Sequence, residues 1–376
     1  MQLVAYGAQD IYLTGNPQIT FFKVVYRRHT NFSVEAIEQT FSGDASLGKK
    51  VSCTVARNGD LLSRVYLEMD ISTTGSAAVN QPRVGYLLID YVELEIGGQC
   101  IDKHYGEWMD VWTQLRYDGD TYDKFNSMIN GTLTAAGSSD WKLYVPLQFW
   151  FCCNPGLALP LIALQYHEVK LNVQFKPSAA NVSSIDNVCV FCDYIFLDTD
   201  ERRRFAQVSH EYLIEQVQFS NALQQANGTD EHELRFNHPV KELIWTLQDN
   251  ANVSGPLNFW KNGGNNLDLV NDALIQLNGH DRFRRRPGTY FRVVQPFQHH
   301  TGGHSQDSTS DYGGFYCYSF ALKPEDHQPS GTCNFSRIDN AVLSINATAA
   351  STIKIYAVNY NVLRIMSGMG GLAYSN

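Results

Sequence analysis

Histidine and cysteine clusters are the features of this sequence that come closest to a metal site. His299, His300 and His304 have a spacing that could place several imidazoles around one ion. They lie among Thr, Gly, Ser and Gln residues, so we favour a polar, solvated loop over a metal site. Cys189 and Cys192 have the CxxC spacing of redox and zinc motifs, but no second CxxC exists. In a strand these two positions point to opposite faces, and the sequence therefore predicts no metal ligand.

Catalytic signatures are missing from the sequence. It contains no GxSxG, P-loop, HExxH or GxGxxG motif. His167 and Glu168 begin like the zinc-protease motif, but the second histidine is absent and the setting alternates like a strand. We therefore predict that the chain is not an enzyme, has no catalytic residue and uses no cofactor.

Two basic clusters stand out because the chain as a whole is acidic, with a formal net charge of −9. The first, Arg27–His29, closes an aromatic and β-branched run that follows the turn Gly15–Pro17 and favours a strand. The second is the run Arg282–Arg286, next to the Asn278–Gly279 turn. Phosphate or lipid headgroups could bind such clusters, but salt bridges to acidic neighbours suit an acidic chain better. A protein that coats DNA directly is usually basic, so we expect no direct genome coating.

Length and composition indicate a globular chain with more than one core. It has 376 residues, of which 44% are hydrophobic and 12% aromatic, and this suggests about two domains. Eight scattered cysteines and no signal-peptide pattern predict reduced thiols in a reducing compartment. The uncharged stretch Leu143–Tyr166 is long enough to cross a bilayer, but three prolines would break a helix there. We interpret it as two buried strands, Leu143–Cys153 and Leu157–Tyr166.

Similar patterns occur twice along the chain and in the same order. The first pair ends each time in a hairpin signal, Gly-Gly or Asn-Gly, and the others are strand-like segments. The pairs are Val92–Gly98 with Ala273–Gly279, His167–Val173 with Asp339–Ile345, and Tyr194–Leu197 with Ile355–Val358. Three matches in order predict an internal duplication.

A linker between the repeats predicts a helix, Asp198–Ala206, with Asp198 as its cap and Glu201 three residues later. Another helix is predicted at Asp102–Tyr117, inserted in a loop. Many short strands and few helices predict an all-β protein of two consecutive eight-stranded antiparallel β-sandwiches, for which the jelly roll is the natural candidate. The predicted divisions are an N-terminal arm 1–24, a first sandwich 25–199, a linker helix 200–210 and a second sandwich 211–376.

As a string of residues, Gly15–Phe32 resembles the N-terminal segment of the major capsid proteins of large icosahedral nucleocytoplasmic double-stranded DNA viruses, the chlorella-virus and iridovirus type. Further blocks resemble the same family and follow in order. They are Asp102–Tyr105, Pro155–Leu171, Asp193–Asp198, His210–Glu215, Phe236–Pro239, Gln328–Asn340 and Tyr360–Tyr374. No single block is specific, but together they run from end to end.

This resemblance implies a structural virion protein with a double jelly roll and short helices in loops and linker. It implies trimeric, pseudo-hexagonal capsomers that tile the outer icosahedral shell. The implied partners are the chain itself as a homotrimer, neighbouring capsomers, minor capsid proteins, an internal membrane beneath the shell and a host surface reached by outer loops. The implied location is the virion, after synthesis and assembly in the host cytoplasm without secretion. A minor or vertex capsid protein and a carbohydrate-binding jelly-roll protein stay open as alternatives.

Contacts between subunits are predicted in the N-terminal arm and in the second basic cluster. The arm offers aromatic side chains beside basic ones, and the cluster offers arginines that can pair with acidic neighbours. The predicted interface residues are Phe21, Phe22, Tyr26, Arg27, Arg28, His29, Arg282, Arg284, Arg285 and Arg286.

Overall fold

Antiparallel β-sheets form the framework of the protein, as a computed structural model shows. The structure describes residues 7–73, 83–129, 132–133, 140–177, 182–250, 269–302 and 314–374. Helices are short and lie between the strands. Among the helices in these ranges, none is long and apolar enough to cross a membrane.

The strands and helices have the following bounds. The strands are β1 (Phe32–Thr40), β2 (Lys50–Thr54), β3 (Leu61–Thr73), β4 (Ile89–Ile96), β5 (Gln99–Tyr105), β6 (Thr132–Leu133), β7 (Asp140–Pro146), β8 (Leu159–Pro160), β9 (Val169–Phe175), β10 (Val182–Leu197), β11 (His210–Gln225), β12 (Gly228–Glu233), β13 (Pro239–Asp249), β14 (Val270–Leu277), β15 (His280–Asp281), β16 (Arg286–Pro287), β17 (Phe315–Ser319), β18 (Cys333–Asn334), β19 (Ala341–Ala347), β20 (Ser351–Met366) and β21 (Met369–Leu372). The α-helices are α1 (Ile11–Thr14), α2 (Val84–Leu88), α3 (Gly106–Arg116), α4 (Gly119–Ile129), α5 (Trp150–Cys153), α6 (Thr199–Gln207) and α7 (Gln295–His299). Single turns of 3-10 helix lie at Pro155–Leu157, Leu161–Ala163 and Phe335–Arg337, and a π-helical turn lies at Tyr290–Val294.

The sheets occur as two matching pairs. In the first half, one sheet has the strand order β1-β10-β3-β7-β6 and the other has the order β2-β9-β4-β5. In the second half the orders are β11-β20-β13-β17 and β12-β19-β14-β15. Eight strands of the first half therefore recur in the second, each ten places later and with the same neighbours. Two facing four-stranded sheets with these interleaved orders form a jelly roll, so the predicted all-β double jelly roll is confirmed.

Hairpin turns were read correctly from the sequence in both halves. The β4–β5 turn has positive φ at Gly97 and Gly98, 59° and 82°. The β14–β15 turn has positive φ at Asn278 and Gly279, 52° and 76°. Such values fit the tight primed turns whose twist matches that of the flanking strands.

A bulge in each half fixes how the two halves align residue by residue. The short strand β8 pairs with β3 at Leu62, and the short strand β18 pairs with β13 at Val240. Just after each of these residues, a bulge shifts the register of the β3–β10 pairing and of the β13–β20 pairing. Leu62 also pairs with Tyr194 and Val240 with Asn359, which makes Tyr194 and Asn359 equivalent. The third sequence match, which paired Tyr194 with Ile355, lies on the right strands but is four residues out of register. A shift by an even number keeps the inward and outward alternation, so the sequence pattern could not exclude it.

Each half encloses an apolar core between its two sheets. Along β3, buried residues alternate with more exposed ones through Val65–Ile71, as a half-buried strand requires. The second core is formed by residues such as Leu243, Trp245 and Ile345. The first core continues into the second half through Ile214, and the two jelly rolls therefore pack directly on one another.

The helices differ in part from those predicted. The predicted linker helix is present as α6, and the Asp198 carboxylate caps it by accepting a hydrogen bond from the backbone N–H of Thr199 at 2.7 Å. It ends before residue 210, since His210 already begins β11. The helix predicted from Asp102 starts only at Gly106, because the preceding residues pair with β4 as strand β5. Helix α4 was not predicted from the sequence.

The uncharged stretch Leu143–Tyr166 does not form two strands, and that prediction was wrong. Its strand portion ends with β7 at Pro146, and short helices joined by β8 occupy most of the remainder. Proline lacks the N–H that a central sheet ladder needs, which limits the strand length here. The Asn154 side chain caps the first 3-10 turn instead, so local capping replaces sheet pairing.

Candidate subunit interface

The N-terminal arm, defined here as residues 7–31, lies outside both sandwiches and exposes large apolar side chains. Phe22 is 99% exposed, and Phe21 and Tyr26 are each 88% exposed. Other exposed apolar residues of the arm are Ile11, Tyr12, Leu13, Ile19, Val24 and Val25. A contiguous apolar segment of this kind marks a surface that another molecule covers.

The strand predicted after the Gly15–Pro17 turn does not form in the single chain. Within residues 7–31, α1 is the only helix or strand, and the chain turns at residues 21–23 before it runs on to β1. The side chains favour a strand, but strand N–H and C=O groups need a neighbour to pair with. The described part of the fold offers no such neighbour at this place.

Basic residues of the arm are exposed together with the aromatic ones. Arg27 and Arg28 are exposed and form no ion pair with any residue in the described ranges. The His29 ring nitrogen Nδ1 lies 2.7 Å from the carbonyl oxygen of its neighbour Thr30. The arm therefore presents a basic, aromatic surface to the outside of the molecule.

Strand β1 continues this exposed surface into the first jelly roll. It is an edge strand that pairs with β10 on one side, and its Phe32 and Val34 side chains are more than half exposed. Glu35 and Glu38 are exposed, and neither carboxylate has an ion-pair partner among the residues that the structure describes. Unpaired edge strands are ready templates for contact with another chain.

The second basic cluster lies far along the chain, after strand β15, and part of it is held within the second half. Arg285 forms an ion pair with Asp272 at 2.7 Å, and the Arg286 guanidinium lies 5.1 Å from the ring centre of Tyr290. Arg284 is exposed and has no ion-pair partner in the described ranges. Among described residues, no ion pair, hydrogen bond or ring contact joins this cluster to the arm, so the structure does not bring the two predicted interface regions together in one chain.

The contact between the two halves shows how this fold builds a jelly-roll interface. The backbone N–H of Val217 on β11 donates to the Asp102 carboxylate on β5 at 3.2 Å, and the Gln216 side-chain amide donates to the Ile101 carbonyl. Asp102 is held in place by His104, whose Nε2 lies 2.7 Å from the other carboxylate oxygen. Both side chains are buried. The β5 segment of the first half therefore covers the free edge region of β11.

Helix α3 carries a second contact between the halves. Glu107 lies 2.5 Å from the Lys354 ammonium of β20 and 3.6 Å from Lys176 of the first half. Burial lowers the pKa of Lys176, and the Glu107 charge only partly opposes this effect. Beside this group, the Tyr105 ring of the first half lies 4.6 Å from the Phe219 ring of the second half, measured between ring centres, and Phe219 stacks on Tyr356. The interface thus combines buried aromatic area with paired charge.

A buried ion cluster, named here the His300 cluster, consists of His300, Glu242 and Glu325. Nε2 of His300 lies 3.0 Å from Glu242, and Nδ1 lies 3.0 Å from Glu325. Burial by itself lowers the pKa of His300, but the charge of Glu242 and hydrogen bonds with its neighbours outweigh burial, and the pKa lies well above its usual range. The next residues bind the first half, since the Thr301 hydroxyl donates to the Arg116 carbonyl at 2.7 Å.

The predicted solvated loop at His299–His304 was therefore wrong for His300, which is fully buried. His299 has its Nδ1 3.0 Å from the Leu322 carbonyl, and His304 lies outside the described residues. Among the described residues, no three His, Cys, Asp or Glu side chains lie close enough together to share a metal ion. The two members of the CxxC pair differ as predicted, with Cys192 buried and Cys189 partly exposed.

Sequence reasoning missed the residues that join the two halves. Asp102 and His104 appeared only inside a block of family resemblance and in a predicted helix, and Glu107, Lys354 and His300 were not singled out for this role. Asp102 and Glu107 have partners more than a hundred residues away, and the partners of His300 are 58 and 25 residues away. No local pattern reveals such pairs. A buried-looking charged residue inside an apolar stretch, as at Lys241-Glu242, is the one available signal.

Two family descriptions cover nearly the whole chain. The family described as major capsid protein N-terminus matches residues 20–198. The family described as large eukaryotic DNA virus major capsid protein matches residues 201–371. The boundary between the two matches falls at the start of helix α6.

Individual relatives agree with these matches over their full length. The major capsid protein of Pyramimonas orientalis virus is 53% identical, over all of this chain and 99% of that protein. The major capsid protein of Paramecium bursaria Chlorella virus 1 is 45% identical with the same coverage. A solved chain from the quasi-atomic description of the PBCV-1 virus capsid superposes with a TM-score of 0.85 at 39% identity, covering 95% of this chain and 100% of that chain.

Proposed function

The chain belongs to the family of major capsid proteins of large eukaryotic DNA viruses, and from this premise we propose that three copies associate into a pseudo-hexagonal capsomer. It is a structural component of the virion capsid. Its work in this proposal is mechanical, and it involves no catalysis. Neighbouring capsomers would then tile the outer icosahedral shell.

The repetition of all eight strands in the two halves carries this proposal. A duplicated domain lets a three-fold oligomer present six similar jelly rolls, and six similar blocks can occupy a hexagonal lattice position. Because one chain supplies two of the six blocks, three chains close the ring. Closed symmetry of this kind gives a particle of defined size instead of an open filament.

The exposed arm supports contacts beyond the single chain. Its aromatic residues Phe21, Phe22 and Tyr26, with Arg27–His29, are proposed to lie against neighbouring subunits or minor capsid proteins. Other proposed partners are a membrane beneath the shell and, through outer loops, a host surface. The proposed setting is assembly in the host cytoplasm without secretion. The acidic body argues against direct contact with the genome.

The mass of the purified chain in solution tests the trimer. One chain has a mass of 42.4 kDa, so light scattering should give about 127 kDa. A monomer at high concentration would overturn the proposed trimeric capsomer. A trimer that persists on heating would support a rigid capsomer.

The role of the arm is tested by the double variant Phe22→Ala with Arg28→Ala. We expect loss of assembly beyond the folded chain, measured as mass in solution and as ordered arrays in electron micrographs. Leu322→Ala with Arg337→Ala is the matched control, since it also removes one exposed apolar and one exposed basic side chain. Assembly that is unchanged in the arm variant would refute a role for these residues.

A further inference from the structure

The interface between the two halves has a duplicated counterpart that is open in the single chain. Within the chain, the β5 segment of the first half covers β11 of the second half. By the strand equivalence, the matching elements are β15–β16 of the second half and β1 of the first half. These two surfaces do not meet in one chain, and residues on both are exposed.

The equivalent of the β5 segment is the arginine cluster. Val92 of β4 pairs with His104, and its equivalent in β14, Ala273, pairs with Arg286. Beside the turn, the β4–β5 and β14–β15 hairpins have the same residue pairing, so Gln99 and His280 are equivalent. The residues between these fixed points are therefore equivalent, and Arg282–Arg285 occupies the place of Ile101–Lys103. In the first half this stretch supplies the groups that bind β11.

The equivalent of the bound part of β11 is an acidic stretch of β1. Tyr194 and Asn359 are equivalent, and they pair with Glu35 of β1 and Gln216 of β11. Glu35 therefore occupies the place of Gln216, and Ala36 occupies that of Val217. Three residues after Gln216, β11 has Phe219, which packs on Tyr105. Three residues after Glu35, β1 has Glu38, which therefore occupies the place of Phe219. Hence the duplicated surface has two free glutamates where the internal interface has an amide and an aromatic ring.

We propose that Arg282–Arg285 of one copy binds β1 of a second copy, with Arg284 paired to Glu35 and with Glu38 adding negative charge to the same strand. If the second half contacts the next chain in the way that the first half contacts the second half, the arginine cluster lies over β1 of that chain. The contact is head-to-tail, and contacts of this type build closed rings when the rotation closes. Charge complementarity favours this occupant, since Arg284 and both glutamates lack ion-pair partners among the described residues.

This inference rests on the proposed trimer and names the surfaces that hold it together. It assigns a role to the predicted Arg282, Arg284 and Arg285 that is independent of the arm. Arg285 already pairs with Asp272 inside its own chain, which positions the segment and leaves Arg284 free for the neighbour. The ion pairs at this contact lie at the partly solvated rim of the interface. Each pair therefore contributes modestly to affinity and more strongly to the choice of partner.

Charge reversal and its rescue test the contact. Arg284→Glu and Glu35→Arg should each raise the dissociation constant of the trimer about tenfold or more, measured by analytical ultracentrifugation. The double variant, which restores opposite charges, should recover most of the affinity. Arg203→Glu, at an exposed site on α6, is the matched control and should leave the mass unchanged. Circular dichroism melting confirms that every variant is folded.

Crosslinking identifies the partner residues directly. A photoreactive benzoylphenylalanine at position 284, in a mixture of light and heavy isotope-labelled chains, should give mixed-isotope crosslinks to the peptide that contains Glu35 and Glu38. A wild-type monomer would defeat the proposed trimer itself. A wild-type trimer whose mass is unaffected by both single reversals, or whose crosslinks lie elsewhere, would overturn this contact and leave the trimer intact.

Discussion

Replacing His300 by alanine should destabilise the fold strongly, because the imidazolium is the cation between two carboxylates. The His300 and Glu242 side chains are fully buried, and Glu325 is only 11% exposed. Removing one partner of a buried ion pair leaves a charge without compensation and costs about 3–5 kcal/mol. We expect a loss of this size in the free energy of unfolding, measured by urea denaturation at fixed protein concentration with tryptophan fluorescence as the signal.

The pH dependence gives this prediction a signature that simple packing loss would not produce. Folding raises the pKa of His300, so its stabilising contribution is fully present below the unfolded value of about 6.5 and is lost as the pH rises through the folded-state pKa. Burial alone would raise the pKa of Glu325, but hydrogen bonds from His300 and Thr301 outweigh it and lower that pKa. That second contribution is lost at the acidic end instead.

Two further variants separate charge from volume at this site. Glu242→Gln keeps a hydrogen-bond acceptor and should cost less than His300→Ala, about 1–3 kcal/mol. His299→Ala removes the neighbouring, partly exposed imidazole and should change stability by less than about 1 kcal/mol. Wild type should lose stability between pH 6 and pH 9 relative to His300→Ala. If the two proteins instead show parallel stability curves over this range, the imidazolium does not hold the cluster.

Three smaller perturbations follow from the same structure. Glu107→Gln weakens the pairing with Lys354 across the two halves and should cost about 1 kcal/mol in urea unfolding, because the group is only partly shielded from solvent. Gly279→Ala places a side chain at φ 76° in the β14–β15 turn and should cost about 1 kcal/mol in the same assay, although no atom lies near the added methyl group. Burial raises the pKa of Cys53 to about 11 and of Cys192 to about 12, so a thiol reagent at pH 8 should label neither in the folded protein and both in urea; rapid labelling of the native chain would contradict their place in the core.

The duplicated all-β fold was predictable because its signals are local. Alternation of apolar and polar residues defines strands such as β4, and Gly97-Gly98 or Asn278-Gly279 define the turns that join them. These patterns recur in the same order in both halves, so they indicate two similar domains before any contact is known. They could not fix which residue of β10 corresponds to which residue of β20 when the two halves are aligned, since a shift by four residues preserves the same pattern.

The contacts between elements were not predictable, because they depend on residues far apart in sequence. His300 stands in a polar, glycine-containing segment that is typical of a solvated loop, yet Glu242 and Glu325 enclose it. The arm shows the opposite case. Its composition favours a strand, but the single chain supplies no partner strand, and Phe22 stays exposed. In both cases the outcome is decided by what the rest of the structure places nearby.

The two versions of the jelly-roll contact differ in the chemistry that holds them. The internal version joins halves of one chain, and its Asp102 and Gln216 side chains are buried and hydrogen-bonded. The proposed external version replaces them with exposed arginine and glutamate side chains. Buried hydrogen bonds suit a contact that forms once during folding, whereas exposed charge pairs form and break readily and are screened by salt. A duplicated gene product can thus use one geometry twice, as a permanent joint within the chain and as a reversible joint between chains, with the difference decided by only a few side chains.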